Sequence, residues 1–340
     1  MTLDSSEIFT IALSRAGFTA ILHGVTALVP EASTRRYYRL QLSDGTSLVG
    51  VSEDPATATT TMPLVLQMQG FLHRTGIAVP EIFFSDPAAG VMLQQDLGDL
   101  SLNQALKENP DEADVFYQDA ISRMFGWQRL QNDGQCPAFR LSFDVEKLMF
   151  EFEFFITHTL LGFYRATVTD SGLKEIRAAF FSIAQKLAAP VNKVFTHRDY
   201  HSRNIMLVGE RSRTAQQQYI IDFQDARLGL MQYDLCSLLC DAYAPITPER
   251  RARLLDFAFE NGKDIHRQTR AEFDAFWALS AFQRLVKAMG TFGRQAALGH
   301  AGFAAYLDPA RRMLNEIIAA ANDSGLISLE SVFDCCERSL

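Results

Sequence analysis

Between Val194 and Leu207 the chain reads VFTHRDYHSRNIML, with His197, Arg198, Asp199, His201, Arg203 and Asn204 standing between two short apolar runs. A carboxylate such as Asp199 can accept the proton of an attacking hydroxyl. The amide oxygen of Asn204 and the carboxylate of Asp222, further along, are hard oxygen ligands. They suit Mg²⁺, which takes a few protein oxygens together with phosphate oxygens. A base beside a metal-neutralised phosphate describes phosphoryl transfer to an alcohol.

These groups must be carried by a strand, loop and strand. IMLV follows Asn204, then the polar stretch GERSRTAQQ, then QYIIDF. A register pairing Val208 with Gln218 and Ile205 with Ile221 sets Asn204 opposite Asp222, on one face and about 5 Å apart. Upstream, residues 35–52 read as a hairpin, RYYRLQL turning at SDGT into SLVGV, with Tyr38, Leu40 and Leu42 on one face. MPLVLQMQGFLHRTG suits a helix ending near Gly76 with Pro63 in its first turn. VPEIFFSD and GVMLQQ read as two more strands. Beyond residue 95 the pattern changes to long amphipathic helices at 112–131, 144–166, 172–188, 249–262, 271–297 and 309–321. The expectation is an α+β chain in two parts: a small antiparallel sheet with one helix over 1–95, and a larger, mainly helical part over 96–340.

The chain has 340 residues and a formal charge of −8, which argues against broad binding to nucleic acid or an anionic membrane. Its N-terminus is acidic where a signal peptide is basic, and no apolar run reaches the 18 or so residues of a membrane span. Five cysteines, two of them adjacent at 335 and 336, do not make a disulfide framework or a zinc site. A reduced, cytoplasmic protein is expected.

His197-Arg198-Asp199 followed by Asn204 resembles the catalytic loop of the protein-kinase-like fold, and Ile221-Asp222-Phe223 stands where that fold carries its second metal-binding aspartate. HRDYHSRN, IDFQDA and YDLCSLL resemble the aminoglycoside phosphotransferase family. STRRYYRL, QQDLGDLSL and FQRLVKAMGTFGR extend the likeness to its anomeric N-acetylmuramate/N-acetylglucosamine kinases. The resemblance implies a bilobal fold, ATP and Mg²⁺ as cofactors, and a sugar 1-phosphate as product. It makes Asp199 the base and gives the metal to Asn204 and Asp222. Adenine falls to the backbone of Gln94, Gln95, Asp96 and Leu97, and Asp234 braces the loop. A kinase of another small alcohol, such as an aminoglycoside or choline, and a nucleotide-binding pseudokinase remain alternatives.

Two usual parts are missing. EASTRR replaces the glycine-rich phosphate loop, and the third-strand lysine is absent, since the first lysine is Lys107. The helix Met62–Arg74 holds no acidic residue to pair with it. A guanidinium can bind phosphate oxygens bidentately, so Arg35 or Arg36 is expected to do the lysine's work, with Arg36 preferred for its place on the Tyr38 face. His197 is read as a hydrogen-bonding partner within the loop. His201 and Arg203 either contact substrate or solvate the loop, and Asp225, grouped with them as a substrate contact, lies either near the metal or in an ordinary turn. Glu151 and Glu153, in MFEFEFF, are either a solvated helix edge or, by the resemblance, substrate contacts.

Overall fold

The computed structural model describes residues 4–28, 35–190, 192–209 and 217–321, together with Leu326 and Val332. The stretch Glu31–Thr34, the adjacent pair Cys335 and Cys336, and most of the loop after Gly209 therefore lie outside the described residues. The chain divides into two compact units.

The first unit takes residues 1–101, 133–137 and 205–224. Helix α1 (Ser5–Arg15) opens on a capping box between Asp4 and Glu7. Strands β1 (Leu22–Ala27), β2 (Arg36–Leu42), β3 (Ser47–Ser52), β4 (Ile82–Asp86) and β5 (Val91–Gln95) form one antiparallel sheet in the order β1-β2-β3-β5-β4. β1 and α1 were not visible in the sequence pattern. The α1 side chains Phe9, Ala12 and Leu13 pack on Leu40, Leu42, Leu48 and Leu93, so the expected apolar face of the hairpin does form core. Gly50 lies beneath the Phe9 ring, where a Cβ would come within 2.8 Å of Cδ1 and Cζ, and no larger residue fits without moving the ring.

Helix α2 (Pro55–Arg74) starts seven residues before the expected Met62 and takes Pro63 into its interior rather than its first turn. The Asp54 side chain accepts from the Ala56 N–H and Pro55 fills the first helical position, a start signal that the β-branched run TATTT obscures.

The hairpin of β7 (Ile205–Val208) and β8 (Gln217–Ile220) also belongs to this unit. The Leu207 N–H donates to the Leu100 carbonyl and the Ile220 N–H to the Ala78 carbonyl. Its register is Ile205 with Ile220 and Val208 with Gln217, one residue away from the expected pairing. β7 is apolar throughout and β8, QQYI, carries a glutamine on each face, so alternation could not choose the frame. Asp222 is therefore not cross-strand from Asn204. It lies two residues past the end of β8, at φ +63°. The chain leaves the first unit at Ser101 and returns to it twice, over 133–137 and 205–224.

The second unit is mainly helical: α3 (Leu102–Glu108), α4 (Ala113–Gln128), α5 (Val145–Phe155), α6 (Asp170–Ala188), α7 (Met231–Leu239), α8 (Pro248–Asn261), α9 (Lys263–His266), α10 (Arg270–Ala297) and α11 (Leu307–Ala320). The short strands β6 (Val194–Thr196) and β9 (Arg227–Gly229) pair antiparallel on either side of the polar loop. The single helix expected at 144–166 is α5 followed by a wider π-helical stretch, Ile156–Phe163. There the Thr159 hydroxyl donates to the Met289 carbonyl of α10 at 2.7 Å, and Gly290 and Gly293 let the two segments approach. Among the described residues no helix is long and apolar enough to cross a membrane.

Candidate active site

In the second unit, β6 delivers the chain into the loop His197–Asn204, and the fold grips that loop from two sides. Asp234, on α7, accepts from the N–H groups of His197 (2.7 Å) and Arg198 (2.9 Å) and from Trp127 Nε1 (3.1 Å). Burial raises the Asp234 pKa, against the pull of these donors. Arg198 takes φ +82°, a conformation that needs such bracing. On the other side, Asp241 accepts from the backbone N–H and hydroxyl of Ser202, and Asn103 Nδ2 donates to the same hydroxyl. His197 is fully buried, with its ring near those of Trp127 and Tyr200.

Asp199 has two cationic partners, both on α10. Lys287 Nζ lies 2.5 Å and Arg284 Nη2 3.2 Å from the same oxygen, Oδ1. Among the described residues, no hydrogen bond engages Oδ2. Burial alone would raise the Asp199 pKa, but Lys287, Arg284, Arg198 and His201 outweigh it and hold it well below the usual carboxylate range. Arg284 also donates through Nε to Ser237 Oγ, which donates in turn to the Arg198 carbonyl. The sequence reading passed over Lys287 and Arg284. They were legible only as two cations spaced i, i+3 in the otherwise apolar helix stretch FQRLVKAM.

Asn204 donates its amide nitrogen to the Asp199 carbonyl at 2.9 Å, which leaves its Oδ1 without a partner among the described residues. In the first unit, Asp222 accepts from Gln224 Nε2 through Oδ1 at 2.7 Å, leaving Oδ2 open in the same sense. Each is a hard oxygen of the kind that Mg²⁺ takes alongside water and phosphate.

The other expected residues fall into separate clusters. Glu151, 3% exposed, binds Arg198 Nη2 at 3.1 Å and Gln283 Nε2 at 2.8 Å, and Arg198 Nη1 reaches the exposed Asp225 at 2.9 Å. Glu151 thus braces the loop through Arg198. Glu153 is not part of this cluster and forms a two-point ion pair with Arg177 of α6. Arg203 lies over the Tyr243 ring at 3.7 Å and donates to the Tyr306 hydroxyl, while His201 meets Tyr243 edge-on.

In the first unit, Arg36 is exposed, whereas Arg35 Nε lies 3.3 Å from the buried Glu53 carboxylate. This is a largely buried cation–carboxylate pair. Its carboxylate comes from the residue after β3 rather than from α2, and the Thr61 hydroxyl of α2 holds it at 2.6 Å. The Asp96 side chain is taken by Arg39 and Ser47, just past the end of β5 at Gln94 and Gln95 and before Leu97.

The chain is similar to known proteins in sequence and in fold. The chain is 31% identical over 274 residues to the N-acetylmuramate/N-acetylglucosamine kinase of Pseudomonas putida, covering 79% of this chain and 76% of that one. It is 29% identical over 271 residues to the enzyme of the same name from Caulobacter vibrioides, covering 78% and 72%. Its fold is protein-kinase-like: it matches the crystal structure of an ADP-bound aminoglycoside phosphotransferase with a TM-score of 0.60 at 14% identity, over 91% of this chain and 97% of that chain. The model of the phosphotransferase enzyme family matches residues 24–276, a span that takes in the antiparallel sheet, the braced loop and the β7–β8 hairpin. With its loop and metal-suited oxygens inside that span, the chain belongs to the phosphotransferase enzyme family.

Proposed function

We propose that the protein is an ATP-dependent kinase that phosphorylates the anomeric hydroxyl of N-acetylmuramate or N-acetylglucosamine to the 1-phosphate. The observation that carries this reading is the state of Asp199, its carboxyl held well below the usual range and anchored, among the described residues, through Oδ1. A carboxylate held that far down is a weak base. It suits an anomeric hydroxyl, which is more acidic than an ordinary sugar alcohol. The curated relatives, at 29% and 31% identity, carry the name of a kinase for these two sugars and support the same acceptor.

In this reading the acceptor oxygen bonds to the γ-phosphorus as the β–γ bridge breaks and ADP leaves. Asp199 Oδ2 takes the hydroxyl proton. Asn204 and Asp222 would hold Mg²⁺, which would supply charge neutralisation for the phosphates. Arg35, oriented by Glu53, takes the place of the absent lysine on the nucleotide phosphates, and the backbone from Gln94 to Leu97 receives adenine. His201 and Arg203 face the sugar, and Glu151 and Asp225 act through Arg198. The described cysteines, Cys136, Cys236 and Cys240, are free thiols, which supports a reducing, cytoplasmic setting.

The test is phosphorus NMR of the product formed from each sugar, with loss of the reducing end. Phosphate on the 6-hydroxyl, or turnover only with aminoglycosides or choline, would sink the acceptor and leave a kinase of some other alcohol.

A further inference from the structure

We propose that Lys287 is a positioning residue for the phosphoryl-transfer step: together with Arg284 it pins Oδ1 of Asp199, so that Oδ2 alone is presented to the acceptor hydroxyl. The inference rests on the kinase reading above and adds to it a residue from a distant part of the chain.

A carboxylate on a loop can rotate about its last torsion, and either oxygen could then meet the acceptor. Here both cations come from one rigid helix and converge on a single oxygen. They lie three residues apart on α10, so one face of the helix presents both. Arg284 is tied in addition to Ser237, which fixes its fork against the loop. Arg284 therefore sets the position of the loop, while Lys287 has Asp199 as its direct polar contact and is the adjustable member of the pair.

The surroundings of Lys287 make its charge conditional. Asp199 and Arg198 face it from the loop, Arg284 from its own helix and Glu151 from α5. Burial is the largest influence on it and brings its pKa from the ordinary lysine value down to about 8, with Asp199 pulling upward and the two arginines downward. As pH rises through that value the ammonium loses its proton and Asp199 loses its closest partner. Turnover should then fall on the alkaline side for a reason that lies in Lys287.

The experiment uses the full chain, with kcat measured across pH on both amino sugars for wild type, Lys287→Arg and Lys287→Met. Loss of a hydrogen bond to a charged group should lower kcat by about 10- to 100-fold in the Met variant, with nucleotide binding little changed. The Arg variant, charged at every accessible pH, should recover most of the rate and lack the alkaline decline near pH 8. In parallel, protein labelled with ε-¹³C lysine is titrated without substrate. The Lys287 signal, identified by its absence from the Arg variant, should titrate near pH 8 and move lower in Asp199→Asn. A wild-type alkaline limit in Lys287→Met, or a Lys287 signal that titrates as free lysine and ignores Asp199→Asn, would overturn the proposal. If wild type turned over neither sugar, the acceptor reading would fail while the titration still decided the Lys287–Asp199 pair.

Discussion

Arg35 and Glu53 form an ion pair inside the first unit, 3.3 Å from Nε to carboxylate, with Glu53 4% exposed in its side chain and Arg35 12%. Pairing of this kind holds a guanidinium in one orientation, which a solvated neighbour such as Arg36 lacks. In the proposed reading the replacement for the missing lysine is therefore Arg35. Arg35→Ala is expected to raise the KM for ATP by about 10- to 100-fold, the worth of one hydrogen bond to a charged group, while Arg36→Ala stays close to wild type. Steady-state kinetics at saturating sugar measures both. Equal effects at the two positions would remove the ion pair from the argument.

Asp199→Asn keeps the shape of the side chain and removes its basicity. Turnover should fall by about 10²–10⁴-fold, the usual contribution of a general base, with Mg·ATP affinity preserved in calorimetry. The wild-type acid limb follows from the same contacts. Asp199 is held below the ordinary carboxylate range, so its active, ionised form is present at every pH above that depressed value. The kcat of the wild type should therefore be flat from neutrality down through pH 5, as far as the fold survives. A rate that halves near pH 6 would place another group in control.

In the proposed reading Asp222 holds the metal through Oδ2, since Oδ1 accepts from Gln224. Asp222→Ala is expected to weaken Mg·ATP binding strongly while leaving ATP without metal nearly unaffected. Binding titrations with and without Mg²⁺ separate the two, and parallel losses would take Asp222 out of metal binding.

Asp234→Ala strips the acceptor from two buried backbone N–H groups and the Trp127 indole. Each orphaned donor costs about 1–3 kcal/mol, so a loss of roughly 3 kcal/mol or more is expected, seen as a lower urea midpoint at unchanged slope. A loss below about 1 kcal/mol would mean the loop is held mainly from the Asp241 side.

The loop residues were legible because Asp199 and Asn204 sit within six residues of each other and their chemistry is local. The alternation in RYYRLQL likewise exposed the β2 core face. The β7–β8 register was not legible, because IMLV and QQYI have no polar side to mark one face, and a slip by one residue cost nothing in the pattern. Glu53 was missed because a carboxylate was sought on the helix, while the fold takes it from the residue before the Asp54 cap. Lys287 and Arg284 lie more than 80 residues beyond Asp199 in sequence. Only tertiary packing brings α10 to the loop, and local pattern carries no record of it.

The contact between Thr159 and Gly293 reaches further than packing. A Cβ at 293 would lie within 2.8 Å of the Thr159 Cβ and 2.9 Å of its Cγ2, besides colliding with the hydroxyl, so even alanine at 159 would not make room. The two positions are coupled in inheritance. A descendant that acquires alanine at 293 keeps this helix spacing only if 159 becomes glycine as well. One that changes at 293 alone must push α10 away from the π-helical stretch, and the ammonium of Lys287 travels with it. Drift at a position with no chemistry of its own can in this way retune the carboxylate of Asp199.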